Sequence, residues 1–130
     1  MQGVGIKHIE YWVTDVASAL GVYRSFFELL GWEYTGKAGF RGGGVEIYFK
    51  RAPEGVGKKD SFGPRHICFR AASREIVDRV GALLLERRVR IIRGPQVMVG
   101  EEYSRDYYTV DFIGPEGFIF EVAHTPHSML

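Results

Sequence analysis

The sequence predicts an α+β fold in which one strand–helix–three-strand unit is used twice. Three observations lead there. Short runs with apolar residues at every second position are interrupted by two longer runs in which they recur every three or four positions. The order strand, helix, three strands is met once before residue 52 and again after residue 65. Both first strands carry a histidine followed by isoleucine, His8 in "IKHIEYWV" and His66 in "RHICFRA". Self-similarity of this kind outweighs any single element assignment.

Each element has its own reason. In "IKHIEYWV", Ile9, Tyr11 and Val13 alternate with His8, Glu10 and Trp12, a strand with two chemically different faces. "TDVASALGVYRSFFELLG" is an amphipathic helix capped by Asp15 and closed by Gly31. Its stripe is Leu20, Tyr23, Phe27 and Leu30, widened by Ala19 and Phe26. "WEYTG", "AGFR" and "VEIYFKR" are short strands separated by glycines.

The polar, turn-rich "APEGVGKKDSFGP" is the linker within one domain spanning 1–130: module one covers about 4–52, the linker about 53–64 and module two about 65–124. Its "GVGKKD" lacks both the glycine spacing and the Ser or Thr after Lys that a phosphate loop requires, so it reads as an exposed connector. In "RHICFRA", Ile67, Phe69 and Ala71 share one face, and His66, Cys68 and Arg70 the other. "SREIVDRVGALLLERR" is a helix capped by Ser73, with Ile76, Val77, Val80, Leu83 and Leu84 as its stripe and Arg87 and Arg88 suited to its C-terminal dipole. "VRIIRG", "YYTVDFI" and "GFIFEVAH" are the last strands, the final two joined by the turn "GPEG", and His127 falls in the tail.

Each helix must pack on one face of its sheet, so each strand must offer that face an apolar row. The rows are Ile9/Tyr11/Val13, Val45/Ile47/Phe49, Ile67/Phe69/Ala71, Tyr108/Val110/Phe112 and Phe118/Phe120/Val122. The opposite face receives His8/Glu10/Trp12, Glu46/Tyr48/Lys50, His66/Cys68/Arg70, Tyr107/Thr109/Asp111 and Ile119/Glu121. A solvated outer face would also be polar, so parity alone leaves two readings open. A solvated face would more usually be rich in Lys, Thr and Glu; two His and two Glu beside Trp12, Tyr48 and Cys68 point to a concave, partly dry surface. Around one cavity, His8, Glu46, His66 and Glu121 would form a metal site with N and O donors. His124, three residues after Glu121, falls on the helix side.

Composition narrows the function classes. A formal net charge of +1 with scattered basic residues gives no electrostatic reason to expect nucleic acid or a membrane surface as partner. No apolar run approaches the ~20 residues of a membrane span. The opening "MQGVGIKHIE" has no signal-peptide pattern, and the single Cys68 excludes an internal disulfide, so a cytoplasmic location is expected.

With these residues in place, the chain resembles the vicinal oxygen chelate superfamily, which includes glyoxalase I, extradiol dioxygenases and bleomycin-resistance proteins. The carriers are "HIEYWVTDVASALGVYRSFF", "RHICFRA" and "DFIGPEGFIFEVAH", and the resemblance covers essentially the whole chain. It implies two βαβββ modules forming a cupped mixed β-sheet barrel with flanking helices. It also implies a ligand on the first and last strands of each module, which here are His8, Glu46, His66 and Glu121. The ligands would hold one divalent ion (Ni, Zn, Mn, Co or Fe), with Glu121 or Glu46 transferring the proton. Trp12, Tyr48, Arg70 and Tyr107 would contact a small substrate chelated through vicinal oxygens, and the chain would form a homodimer. Isomerase or lyase chemistry of the glyoxalase type is implied. The alternatives are an Fe(II) dioxygenase of the same superfamily and a metal-free protein that binds a small molecule such as an antibiotic. Two departures stand out. "GPEG" replaces the usual Asp-Pro-x-Gly turn, and Trp12 stands where glutathione-using members have Arg, with Arg70 as its counterpart in module two.

Overall fold

The computed structural model describes residues 5–55, 66–101 and 103–126, so most of the expected linker, most of "GVGKKD" and His127 lie outside the described residues. The chain divides into two compact units, 1–60 and 61–130. Both realise the strand–helix–three-strand order.

Unit one contains β1 (His8–Val13), α1 (Val16–Leu29), β2 (Glu33–Gly36), β3 (Gly39–Gly42) and β4 (Val45–Arg51). Its sheet runs β1-β4-β3-β2, with β1 parallel to β4 and the other neighbours antiparallel. Asp15 caps α1: its Oδ1 accepts the Ser18 N–H at 3.1 Å. The helix ends in a Schellman turn. Gly31, at φ 83°, donates to the Glu28 carbonyl at 3.0 Å, and the Trp32 N–H donates to Phe27 at 2.9 Å. The apolar contact that accompanies this turn is also present, with the Phe27 and Trp32 rings 5.1 Å apart. The buried stripe is Ala19, Tyr23, Phe26 and Phe27, while Leu20 and Leu30 lie half-buried at its margins. Tyr23 stacks on Phe49 of β4 at 4.7 Å, which joins helix to sheet.

Unit two contains β5 (Ile67–Arg70), α2 (Arg74–Glu86), β6 (Arg90–Met98), β7 (Tyr107–Ile113) and β8 (Ile119–His124). Its sheet order, β5-β8-β7-β6, repeats that of unit one, with one parallel pair followed by two antiparallel pairs. Ser73 Oγ accepts the Ile76 N–H at 3.3 Å, and α2 buries Val77, Val80, Gly81, Leu83 and Leu84. Its end copies that of α1 with a different residue. Arg88, at φ 56°, takes the left-handed position that glycine holds in unit one, while Val89 N–H donates to Leu84 at 2.8 Å. "GPEG" keeps its turn, since the Gly117 N–H donates to the Gly114 carbonyl at 2.9 Å.

Strand β6 departs from expectation. It continues past "VRIIRG" through Gly94 and Pro95 to Met98, and its pairing with β7 is irregular. Ile91 faces Phe112, Arg93 faces Asp111 and Gln96 faces Thr109, so β6 carries one surplus residue on each side of Arg93. Gly94 makes this path possible. Its φ is 85°, and a Cβ there would stand 2.1 Å from the Thr109 carbonyl oxygen. Proline, which cannot donate to a ladder, is tolerated at such irregularities. Among the described residues, no helix is long and apolar enough to cross a membrane.

Candidate functional site

The expected parity is present in both units. Val13, Ile47, Phe49, Phe69, Ala71, Val110, Phe112, Phe120 and Val122 are buried, whereas His8, Glu10, Trp12, Cys68 and Arg70 on the opposite face are exposed. Unit two adds something that a solvated outer face would not show. Thr109, Asp111 and Glu121 on its polar face are 0%, 1% and 4% exposed. Buried polar groups of this kind need partners: Thr109 and Glu121 partner each other, and Asp111 is partnered by Arg93.

Glu121 is the centre of that cluster. Its Oε1 lies 3.0 Å from His66 Nε2. Its Oε2 accepts from the Tyr107 hydroxyl at 2.9 Å and from Thr109 Oγ1 at 2.7 Å. Thr109 Oγ1 is also 3.0 Å from the Val122 carbonyl, so its single hydrogen is shared between two acceptors. Desolvation, with Cys68 and the Glu121 charge adding to it, pushes the Tyr107 hydroxyl above its ordinary value and keeps it a donor. Cys68 is an exposed residue, but its sulfur lies 3.5 Å from the Tyr107 oxygen and is screened from water. That desolvation, aided by the Glu121 charge, raises the thiol to about 11, so at neutral pH it is not a nucleophile. His124 belongs to the other face, beside Tyr108, with Nδ1 3.0 Å from the Ala71 carbonyl.

The row continues across the sheet. Glu121 is register partner to Cys68 on one side and to Asp111 on the other, and Asp111 is partner to Arg93. Arg93 Nε donates to the Asp111 oxygens at 3.3 and 3.2 Å. Its guanidinium carbon is 6.0 Å from the Tyr103 ring centroid, and the Tyr103 ring is 5.3 Å from that of Tyr107.

In unit one, His8 on β1 is the register partner of Glu46 on β4. The Tyr48 hydroxyl donates to Glu46 Oε2 in a very close contact, and the Lys7 ammonium lies 3.9 Å from Oε1. The Tyr48 hydrogen bond, with charge from Lys7, Arg41 and His8, holds the Glu46 carboxyl below the usual carboxylate range. The His8 ring stands edge-on to Tyr48 at 6.0 Å. Trp12 Nε1 donates to Glu10 at 2.9 Å, and Lys50 pairs with Glu10 at 2.9 Å.

Register refines the match between units. Glu10 faces Tyr48, and Cys68 faces Glu121. With His8 and His66 equated, the counterpart of Glu121 is Tyr48, and Glu46 stands two residues earlier, directly across from His8. Glu46 follows closely on the Gly43–Gly44 turn, which brings it in at the start of β4. Among the described residues, no group of three or more His, Cys, Asp or Glu side chains that could hold a metal ion is found, and the donors come as one His/Glu pair per unit.

Arg93 and Tyr103 are additions to the residues singled out from the sequence. Asp111 gave a partial signal, since a carboxylate in mid-strand between apolar neighbours calls for a cation. Strict alternation, however, puts Arg93 on the same side as Ile91, and only the bulge turns it toward Asp111.

No family model and no curated protein matches the sequence. Solved structures do. A Bacillus halodurans protein described as a glyoxalase aligns over 92% of this chain and 95% of its own, with 23% identity and a TM-score of 0.74. A glyoxalase/dioxygenase of Nostoc punctiforme aligns over 95% and 92%, at 21% identity and 0.70. A glyoxalase/bleomycin resistance protein of Albidiferax ferrireducens T118 aligns over 92% and 98%, at 17% identity and 0.75. The chain has the glyoxalase/bleomycin resistance/dioxygenase fold. That fold, implied by the resemblance to the vicinal oxygen chelate superfamily, serves several chemistries, so function must be argued from the residues.

Proposed function

We propose that this glyoxalase-fold protein is a metal-dependent enzyme acting on a small substrate held through two adjacent oxygens, by isomerase or lyase chemistry. His8, Glu46, His66 and Glu121 would hold one divalent ion, and Glu46 would also move the substrate's proton. The observation that carries the reading is a His at the start of the first strand (His8) or just before it (His66), with a Glu on the parallel last strand of each unit, offset by two residues between the units, the unit-two pair lying 3.0 Å apart. Imidazole and carboxylate donors suit Ni, Zn, Mn, Co or Fe. The outer partners of a ligand are also in place, because Tyr107 and Thr109 hold the second oxygen of Glu121 and fix its orientation.

An ion held there would supply Lewis acidity toward a substrate carbonyl. The two glutamates then divide the remaining work. The Glu121 side chain is 6% exposed with both oxygens engaged, which suits holding. The Glu46 side chain is 27% exposed and accepts a proton from the carbon beside the carbonyl, returning it to the neighbouring carbon. Trp12, Arg70 and Tyr107 line the same faces as substrate contacts. The protein works as a homodimer in a reducing cytoplasm, with Cys68 as a free thiol.

Register also favours a second reading. With Tyr48 at the counterpart of Glu121, two His and one carboxylate remain as donors, the set used by non-haem Fe(II) oxygenases. Oxygen uptake by the Fe(II)-loaded protein with catechols would select this reading; metal-dependent exchange of a substrate C–H proton without oxygen uptake would select the first.

Calorimetry with nickel, zinc, manganese and ferrous iron tests the ligand set. Saturable uptake of about one ion per chain is expected, weakened at least tenfold, or ~1.4 kcal/mol, in His66→Ala and Glu121→Ala, and unchanged in His124→Ala. Loss of the ion in His124→Ala with retention in Glu121→Ala would withdraw the whole assignment.

A further inference from the structure

We propose that Arg93, aimed by the β6 bulges and held by buried Asp111, binds a carboxylate on the substrate, so that the substrate class is a carboxylate-bearing compound with two adjacent oxygens. This rests on the preceding reading and adds the specificity group to it. The first observation is the register. A regular β6 paired to Ile91↔Phe112 would set Ile92 opposite Asp111, and the observed pairing sets Arg93 there instead. Ile92 is left 40% exposed, an apolar cost that a structural strand has no reason to bear. Bulges that re-aim one side chain are a recurrent feature beside active sites.

The second observation is the burial of Asp111. At 1% exposure it sits in the sheet directly beside Glu121, where a threonine or valine would fill the space without a charge. A buried ion pair adds little net stability over apolar residues of similar size. What it does supply is a guanidinium held in one place, on the face that carries His66 and Glu121. Both Arg93–Asp111 contacts run from Nε, so the two terminal amino groups take no part in them, and the Arg93 side chain also hydrogen-bonds to Tyr103. Those groups form the planar fork that matches a carboxylate. Tyr103, between Arg93 and Tyr107, extends the wall from the guanidinium toward the Glu121 cluster. Arg93 lies two strands from Glu121, roughly 10 Å of backbone at the ordinary strand spacing, and two side chains reaching over that span leave room for a small molecule.

The test compares two ligands that share a vicinal-oxygen head, catechol and 3,4-dihydroxybenzoate, by calorimetry on nickel-loaded and on metal-free protein. Wild type should prefer the carboxylate by at least tenfold. Arg93→Met should reduce the preference to about one while leaving catechol affinity and nickel content unchanged. Arg93→Lys should retain part of it. Asp111→Asn, which keeps the Arg93 charge but frees the guanidinium, should also lower it, marking Asp111 as a positioning residue. Where Arg93→Met fails to fold with Asp111 unpaired, Arg93→Met/Asp111→Asn removes both charges and is read in the same way. A wild-type preference near one, or one that survives Arg93→Met or the double variant, overturns the proposal. If nickel does not load, the metal reading fails by that fact, and the ratio on metal-free protein decides this one; absence of binding by either compound at millimolar concentration counts against it.

Discussion

Thr109→Val isolates the hydroxyl that ties Glu121 into unit two. The two side chains are nearly equal in volume, so the core around Thr109, which is 0% exposed, is not emptied. What goes is the donor to Glu121 Oε2 at 2.7 Å, leaving Tyr107 as the one remaining hydroxyl partner of that oxygen. A hydrogen bond to a charged group contributes about 1.5–3 kcal/mol, and the buried carboxylate recovers none of it from solvent. The variant should therefore unfold with a loss of about 2 kcal/mol, and with a urea slope of about 2 kcal/mol/M the midpoint moves down by about 1 M. Metal affinity should fall about 10–100-fold through loss of ligand orientation. Thr109→Ser, which restores the donor, should recover most of both. Urea denaturation followed by fluorescence reads the first effect and calorimetry the second. A Thr109→Val protein within about 0.5 kcal/mol of wild type, the ordinary range of neutral substitutions, would refute the view that this hydroxyl holds a buried carboxylate.

Gly94→Ala combines a left-handed backbone with a Cβ placed 2.1 Å from the Thr109 carbonyl oxygen, and should cost about 2–4 kcal/mol in chemical denaturation. Arg88→Gly should move the other way. Relieving a left-handed residue outweighs the entropy of glycine by about 0.5–1 kcal/mol, seen as a higher urea midpoint. Light scattering at micromolar concentration should give twice the mass of one chain, and a monomer there would contradict the dimer.

Most of the architecture was legible because it depends on alternation and capping. The apolar rows of β1, β4, β5, β7 and β8 follow the two-residue period, Asp15 and Ser73 cap as their side chains allow, and Gly31 closes α1 through its left-handed backbone. Alternation fails where a strand contains a surplus residue. That is why the course of β6 beyond Gly94 and the direction of Arg93 were not readable, since each bulge inverts the parity of the residues beyond it. The His66–Glu121 pair was visible as sequence pattern; the burial of Thr109 and Asp111 beside it was not, because a polar residue on the polar face looks the same in sequence whether wet or dry. The offset of Glu46 from the counterpart of Glu121 is a matter of register, which strand sequences joined by short glycine turns specify only weakly.

The proposed chemistry stands on His8 and His66 ligating one ion together with Glu121. X-ray absorption on cobalt- or nickel-loaded protein reads that shell without reference to activity. About one ion per chain with two imidazoles in its shell is expected, falling to one imidazole or to no bound ion in His8→Ala and in His66→Ala. A bound ion whose shell is unchanged by either substitution, or no ion at all, would contradict the ligand set.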